Sequence, residues 1–257
     1  MDDLLPLCAG PKETADDLHL VLCPFAGGST SAFRSWRRLE PAGMQVSLFV
    51  YPGRDHRMLE PRAASIGELA DQAAAQIKAR GIDLHRLIVA GHSMGAQVAY
   101  EVCSRLEKRC LAPRGLILSG CHAPHLRRRR RLSRLEDLAF LEALAAIGGN
   151  VSELLNEPSM WPSFMPMLRS DFRMTEGYWY PQIPTHNQRL QTPTLLFCGS
   201  GDEEAHRSEV EAWENWLCNT QGPVTMDGDH FYIVRNPTFF LDCAYRFGAH
   251  ILPSVIE

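Results

Sequence analysis

The sequence predicts an α/β protein, a mostly parallel β-sheet covered by helices on both faces. Three observations carry that expectation. Short apolar runs rich in strand-forming residues recur along the 257-residue chain; each is followed by a turn; and each turn leads into a segment of helical period. The composition, 45% hydrophobic and 22% charged, is enough for one well-filled core, so a single domain over residues 1–257 is expected.

In chain order the strand candidates are "LHLVLCPFAGG", "MQVSLFVYPG", "HRLIVAGHS", "RGLILSGC", "TPTLLFCGSGD" and "GPVTMDGDH". The helices between them are equally legible. In "SIGELADQAAAQIKARG" Ser65 and Glu68 have the spacing of a capping box, Ile66, Leu69, Ala73 and Ile77 mark one face, and Gly81 supplies a stop. "NPTFFLDCAYRFGAHIL" opens with Asn236 as cap and Pro237 at the first helical position. Ser29 is expected to cap a helix running through Phe33 and Trp36.

About seventy residues separate the fourth and fifth of these strands, too many for one crossover helix. An insertion at about 125–190 is therefore expected. It begins with "HLRRRRRLSR", continues through a helix carrying Leu135, Leu138, Leu141 and Leu144, breaks at "GGN", and resumes in "MWPSFMPMLRSDFRMTEGYWYP". So many apolar side chains on an excursion from the sheet suggest a helical lid over an apolar cleft; the alternative is a helical subdomain packed on itself.

Charge and composition exclude several classes of function. The formal net charge of −4 gives the whole molecule no polycation's attraction for nucleic acid, although the six arginines within 125–134 form a local basic patch suited to an acidic or phosphorylated partner. Residues 1–20 lack a basic segment followed by an apolar one, and no apolar run approaches the roughly 20 residues that span a bilayer. Eight scattered cysteines without a C-x-x-C pair read as reduced thiols, several of them buried, so a cytoplasmic protein with no membrane association is expected. No coiled-coil heptad is visible, which makes a monomer the default. Phosphate-loop, dinucleotide and zinc-protease motifs are missing, and the H-x-x-H of His122 and His125 has no accompanying ligands. No metal or cofactor is expected.

The chemistry concentrates on "VAGHSMGAQVAYEV", residues 89–102. A G-x-S-x-G pattern turns up by chance in about one chain in ten of this length, so its context decides. Here it joins a strand to a helix, where a tight turn lifts the Ser93 hydroxyl above the strand ends at a helix N-terminus. Ser93 is the candidate nucleophile, with the Met94 N–H as one oxyanion donor. A serine nucleophile needs a base and the base an orienting carboxylate, in the chain order Ser, acid, His. Asp202, just past "TLLFCGSG", and His230, just past "VTMDGD", fit; Asp202 has the alternative role of capping a helix from Glu203. Asp227 and Asp229 are second choices for the carboxylate, while His92, His122, His125, His186 and His206 are worse placed as base. The loop "CPFAGGSTSAF" offers the second oxyanion donor, the Ala26 N–H, with Phe25 as its neighbouring alternative.

Together, "LCPFAGGSTSAF", "YPGRDHR", "GHSMGAQVAYEV", "MLRSDFRMTEGYWY", "LFCGSGDEE" and "DGDHFYI" resemble, in order and spacing, the type II thioesterases that accompany nonribosomal peptide and polyketide synthases. The resemblance spans about residues 18–250, and P-G-R together with L-R-x-D-F is its most specific part. It implies an α/β-hydrolase fold with a mobile helical lid, a triad of Ser93, Asp202 and His230, and hydrolysis of wrongly attached acyl or aminoacyl thioesters. The partner so implied is an acyl- or peptidyl-carrier domain, whose phosphopantetheine arm carries the substrate, and the setting is antibiotic or siderophore biosynthesis. Phe25, where relatives often carry His or another aromatic, is the candidate substrate-binding residue. Alternative readings are a serine esterase or lipase-like hydrolase of free esters, an acyltransferase or cyclase, and a noncatalytic protein on the same scaffold.

Overall fold

The computed structural model describes residues 3–11, 14, 16–127 and 130–250. Seven strands form one sheet: β1 (Leu4–Ala9), β2 (Leu18–Cys23), β3 (Met44–Phe49), β4 (Leu87–His92), β5 (Gly115–Ser119), β6 (Thr194–Gly199) and β7 (Thr220–Met226), in the order β1-β3-β2-β4-β5-β6-β7. All pairings are parallel except that of β1 with β3. The six strands expected from sequence are β2 to β7. β1, in contrast, has no counterpart among the expectations. It is an edge strand containing Pro6, with its register broken between Pro6 and Cys8. Proline argues against a strand when read in isolation, but an edge tolerates it.

Successive residues of the central strands point to opposite faces and enter different cores. Val21, Val89, Leu116, Leu118 and Leu196 pack with α1 (Ile66–Ala79) and α2 (Met94–Glu107) on one face. Leu20, Leu22, Ile88, Ile117 and Phe197 pack with Trp36 and α8 (Pro237–His250) on the other. Burying Ile66, Leu69 and Ile77 of α1 contributes about 1.5–3 kcal/mol each, more than any helix-propensity difference along it. Its cap differs in detail from a full capping box: Ser65 accepts from Glu68 N–H, whereas the Glu68 carboxylate accepts from Ala64 N–H, one residue before the cap. Ser29 does not cap a helix with its side chain. Its hydroxyl bonds to Ser31, and the 3-10 turn Arg34–Arg38 begins after Phe33 without a side-chain cap.

Between β5 and β6 lie α3 (Asp137–Ala146), α4 (Ser152–Asn156) and α5 (Trp161–Gly177). Phe140, Leu141, Leu144, Leu154, Leu168 and Phe172 form a third core of their own, and Ala26 and Phe231 pack against it from the sheet side. The insertion thus packs on itself and also against residues of the loops beyond the strand ends. Leu135 and Leu138, expected on the buried face, are exposed; Leu135 precedes α3, so the true face is set by Phe140, Leu141 and Leu144. Two short helices, α6 (Arg207–Glu211) and α7 (Tyr232–Arg235), complete the fold. This is the α/β-hydrolase arrangement that the resemblance implies. Among the described residues no helix is long and apolar enough to cross a membrane. All eight cysteines are free; Cys23, Cys103, Cys121 and Cys198 are buried, and Cys110 is exposed.

Candidate active site

Ser93 sits on the turn between β4 and α2 with φ 55° and ψ −119°, a backbone conformation that side chains rarely adopt. The turn persists because strand and helix approach too closely for any other chain path. A Cβ on Gly91 would lie 1.9 Å from the Gly95 carbonyl oxygen, and one on Gly95 would lie 2.0 Å from that of Cys23. Of residues 87–100, only Ser93 is not buried.

His230 and Asp202 reach the same place from the ends of neighbouring strands. His230 Nε2 is 3.0 Å from Ser93 Oγ, and Nδ1 is 3.0 and 2.9 Å from the two Asp202 oxygens. With its proton on Nδ1 the ring donates to Asp202 and accepts from the serine hydroxyl, the polarity that activates an alcohol. Burial pushes the Asp202 carboxyl up, but the charge and hydrogen bond of His230 outweigh that and hold it below its ordinary value. It is thus ionised at neutral pH. Asp202 Oδ1 also accepts from the N–H groups of Glu204 and Ala205, so the capping role and the histidine-orienting role coexist. α6, however, starts only at Arg207. Asp229 instead bonds Phe231 N–H and pairs with Arg235, and only the backbone carbonyl of Asp227 is engaged, by Asn236.

The loop after β2 completes the arrangement. Gly28 N–H donates to the Phe25 carbonyl at 2.8 Å, closing a turn in which Gly27 has φ 77°. The Gly27 N–H donates to Asp171, whereas the amides of Phe25, Ala26 and Met94 have no partner among the described residues. Met94 is buried and Phe25 and Ala26 are half-buried, and amides left unpaired in such places are suited to a transient oxyanion. Phe25 packs edge-on against His92 and Phe231, with ring centroids 6.1 and 5.0 Å apart.

Two features of the site escaped sequence reasoning. His92 is buried and held neutral, burial and neighbouring His230 lowering its pKa to about 3. Its Nε2–H donates to the His230 carbonyl at 2.7 Å, and its Nδ1 bonds Ser119, which in turn bonds Tyr232. The histidine set aside as a base thus anchors the backbone of the one retained. Arg54 and Asp171 form a bidentate buried pair at 2.8 Å, joining the P-G-R and L-R-x-D-F motifs across 117 residues. Their presence in the two most specific motifs was the available signal. His122 and His125 make separate contacts, His122 with the Ala123 carbonyl and His125 with the Trp216 indole N–H.

A family model described as a thioesterase domain matches residues 18–243. The chain is 41% identical over 243 residues to the probable anguibactin biosynthesis thioesterase AngT of Vibrio anguillarum, covering 95% of this chain and 96% of that one. Among solved structures it resembles YbtT, a type II thioesterase from the yersiniabactin NRPS/PKS biosynthetic pathway, at 44% identity and a TM-score of 0.90, covering 98% of this chain and all of that one. RedJ, the thioesterase of the prodiginine pathway in Streptomyces coelicolor, is 32% identical with a TM-score of 0.79 and 91% coverage of each chain.

Proposed function

This chain belongs to the thioesterase family, whose members hydrolyse thioesters, and from that premise we propose that it clears aberrant acyl or aminoacyl groups from the phosphopantetheine arms of synthase carrier domains. The observation that carries the reading is the continuous hydrogen-bonded chain from Ser93 through His230 to Asp202, set beside unpaired amides. In the proposed mechanism Ser93 Oγ attacks the thioester carbonyl carbon as its proton passes to His230 Nε2, and ionised Asp202 stabilises the imidazolium. The Met94 and Ala26 N–H groups accommodate the oxyanion. The tetrahedral adduct breaks its C–S bond, and the departing sulfur takes the proton from His230. Water then surrenders a proton to His230 and attacks the acyl-serine; collapse releases the acid and returns the proton to Ser93. A thiolate is a good leaving group, so the protein needs no metal or cofactor of its own. Phe25 contacts the acyl group, and the enzyme works as a monomer.

The basic patch supports a carrier partner, with its composition redrawn. Arg127 stacks on Trp179, Arg130 pairs with Glu204, and Arg128 and Arg129 lie outside the described residues. Arg131, Arg134 and Arg173 instead line an open cavity of about 200 Å³ with Ser133, Glu176 and Gly177, and Glu176 is already bonded to Ser133. Three arginines against one engaged carboxylate suit a phosphate or acidic surface. Arg131→Glu with Arg173→Glu is expected to raise KM for an acylated carrier domain about tenfold; an unchanged KM would remove the patch from the docking surface.

Deacylation of several acylated carrier domains, followed by mass spectrometry with wild type and Ser93→Ala, tests the whole reading. Turnover is expected to fall about 10⁶-fold in the variant. Faster hydrolysis of matched oxygen esters than of carrier thioesters would favour the esterase alternative.

A further inference from the structure

The loop bearing Ala26 is held largely from outside its own strand. Because the peptide group is planar and trans, the Phe25 carbonyl and the Ala26 N–H point in opposite directions. The carbonyl faces inward to Gly28, so the turn itself aims the Ala26 N–H outward. A single backbone hydrogen bond and a glycine at positive φ hold such a turn only loosely in water. Here it is clamped at both of its glycines. Asp171 Oδ2 accepts from Gly27 N–H at 2.8 Å, Arg54 Nη1 donates to the Gly28 carbonyl at 3.0 Å, and the two side chains, 2% and 3% exposed, grip each other. Leu168, one turn before Asp171 on α5, fills the space beside Gly27, where a Cβ would come within 2.5 Å of its Cδ2. From the core side, Tyr51 donates to the Pro24 carbonyl and Asp55 accepts from both the N–H and the hydroxyl of Thr30.

We infer that Asp171 is a positioning residue for the Ala26 oxyanion donor, and that the Arg54–Asp171 pair ties its alignment to a fixed α5, so that acyl chains enter by movement of α3 and α4. This rests on the reading of Ser93 and Ala26 proposed above. Withdrawing α5 would strand two buried charges and a loop amide at once, a far larger penalty than parting apolar contacts. Its C-terminal end is also fastened to α2: Tyr178 donates to Glu101, and Gln97 to the Thr175 carbonyl. The Arg169–Asp137 bridge from α5 toward α3 is more exposed and correspondingly weaker.

Asp171→Leu is the first test, because it removes the acceptor of the Gly27 N–H, which an asparagine oxygen would keep; a simple acyl N-acetylcysteamine thioester is the substrate. We expect kcat to fall about 10²-fold, the size of one lost oxyanion donor, with KM held within about threefold. Affinity for a trifluoromethyl ketone, which forms the tetrahedral adduct, falls in parallel, while a nonhydrolysable amide analogue binds as before. Should the single variant misfold, Arg54→Met with Asp171→Leu leaves no stranded charge; Tm is expected to recover without kcat. Recovery of both together, or an unaltered kcat in folded Asp171→Leu, overturns the positioning role. Hydrogen exchange tests the fixed helix: amides in 165–175 are expected to be protected like those of α2 and better than those in 137–146, and equal exchange of 165–175 and 137–146 overturns it. Wild type must turn over the thioester and Ser93→Ala must not; failure of that control indicts the nucleophile reading instead.

Discussion

The two sides of the site are supported in different ways. Ser93, Asp202 and His230 project from turns directly after β4, β6 and β7, so parallel strand pairing places them, and the close approach of glycine backbones strains Ser93 into position. Opposite them, the Pro24–Gly28 loop takes its shape from side chains outside its strand, including Asp171 of the insertion. A sheet edge constrains through many backbone bonds at once, whereas the loop is held by a few side-chain contacts, some of them from a helix of the insertion. One side is thus set by strand pairing, and the other needs α5 in place.

The contrast is most sharply tested on the sheet side. Asp202→Asn is expected to lower kcat about 10⁴-fold, since the imidazole loses the carboxylate that selects its tautomer. Stability should change little, because an amide oxygen still accepts from Glu204 and Ala205; thiol release and thermal melting measure the two effects. A loss comparable to that of Asp171→Leu would erase the distinction between the two sides.

On the insertion side, Phe140→Ala removes the center of the third core, with an expected local loss of about 3–5 kcal/mol. Amides in 137–146 should exchange faster and KM rise about tenfold, with kcat within about threefold of wild type. An equal drop in kcat would mean that α3, and not only α5, holds the reacting groups.

Acid provides the mildest probe. Burial lowers the pKa of His92 to about 3 and, with the charge of Arg80, that of His19 to about 4, below the unfolded value of about 6.5. Between those limits the unfolded chain binds more protons, so these residues stabilise the fold above about pH 6.5 and lose that contribution progressively on acidification. Both belong to sheet strands, and residues 132–177 contain no histidine. His19→Gln, which can keep the Ser47 bond, should flatten the pH dependence of unfolding free energy between pH 6.5 and 4 by up to about 1.4 kcal/mol per pH unit. Identical slopes for variant and wild type would rule out a buried neutral His19.

The triad was legible because each member follows a strand whose apolar run is visible locally, and because the order Ser, acid, His excludes most competitors. Asp171 was invisible in that sense. On α5 it occupies a turn among buried apolar residues, and nothing in the helical period reveals that its partner is Arg54. His92 was worse placed as a base, and the role it has instead concerns the backbone of His230, a contact no side-chain pattern encodes. The exposure of Leu138 was hidden because periodicity alone does not choose among adjacent faces of a helix rich in leucine and alanine.

By itself the amino-acid order determined the layered architecture, the sharp turn at Ser93 and the choice of Ser93, Asp202 and His230 as candidates, since each depends on interactions within a few residues or on strand sequence. Only the tertiary structure decided which amides stay unpaired, which histidine braces which, and that an aspartate from the insertion holds the far wall of the site. Those outcomes depend on long-range burial, where a charge or an N–H finds its partner only after the chain has closed around it.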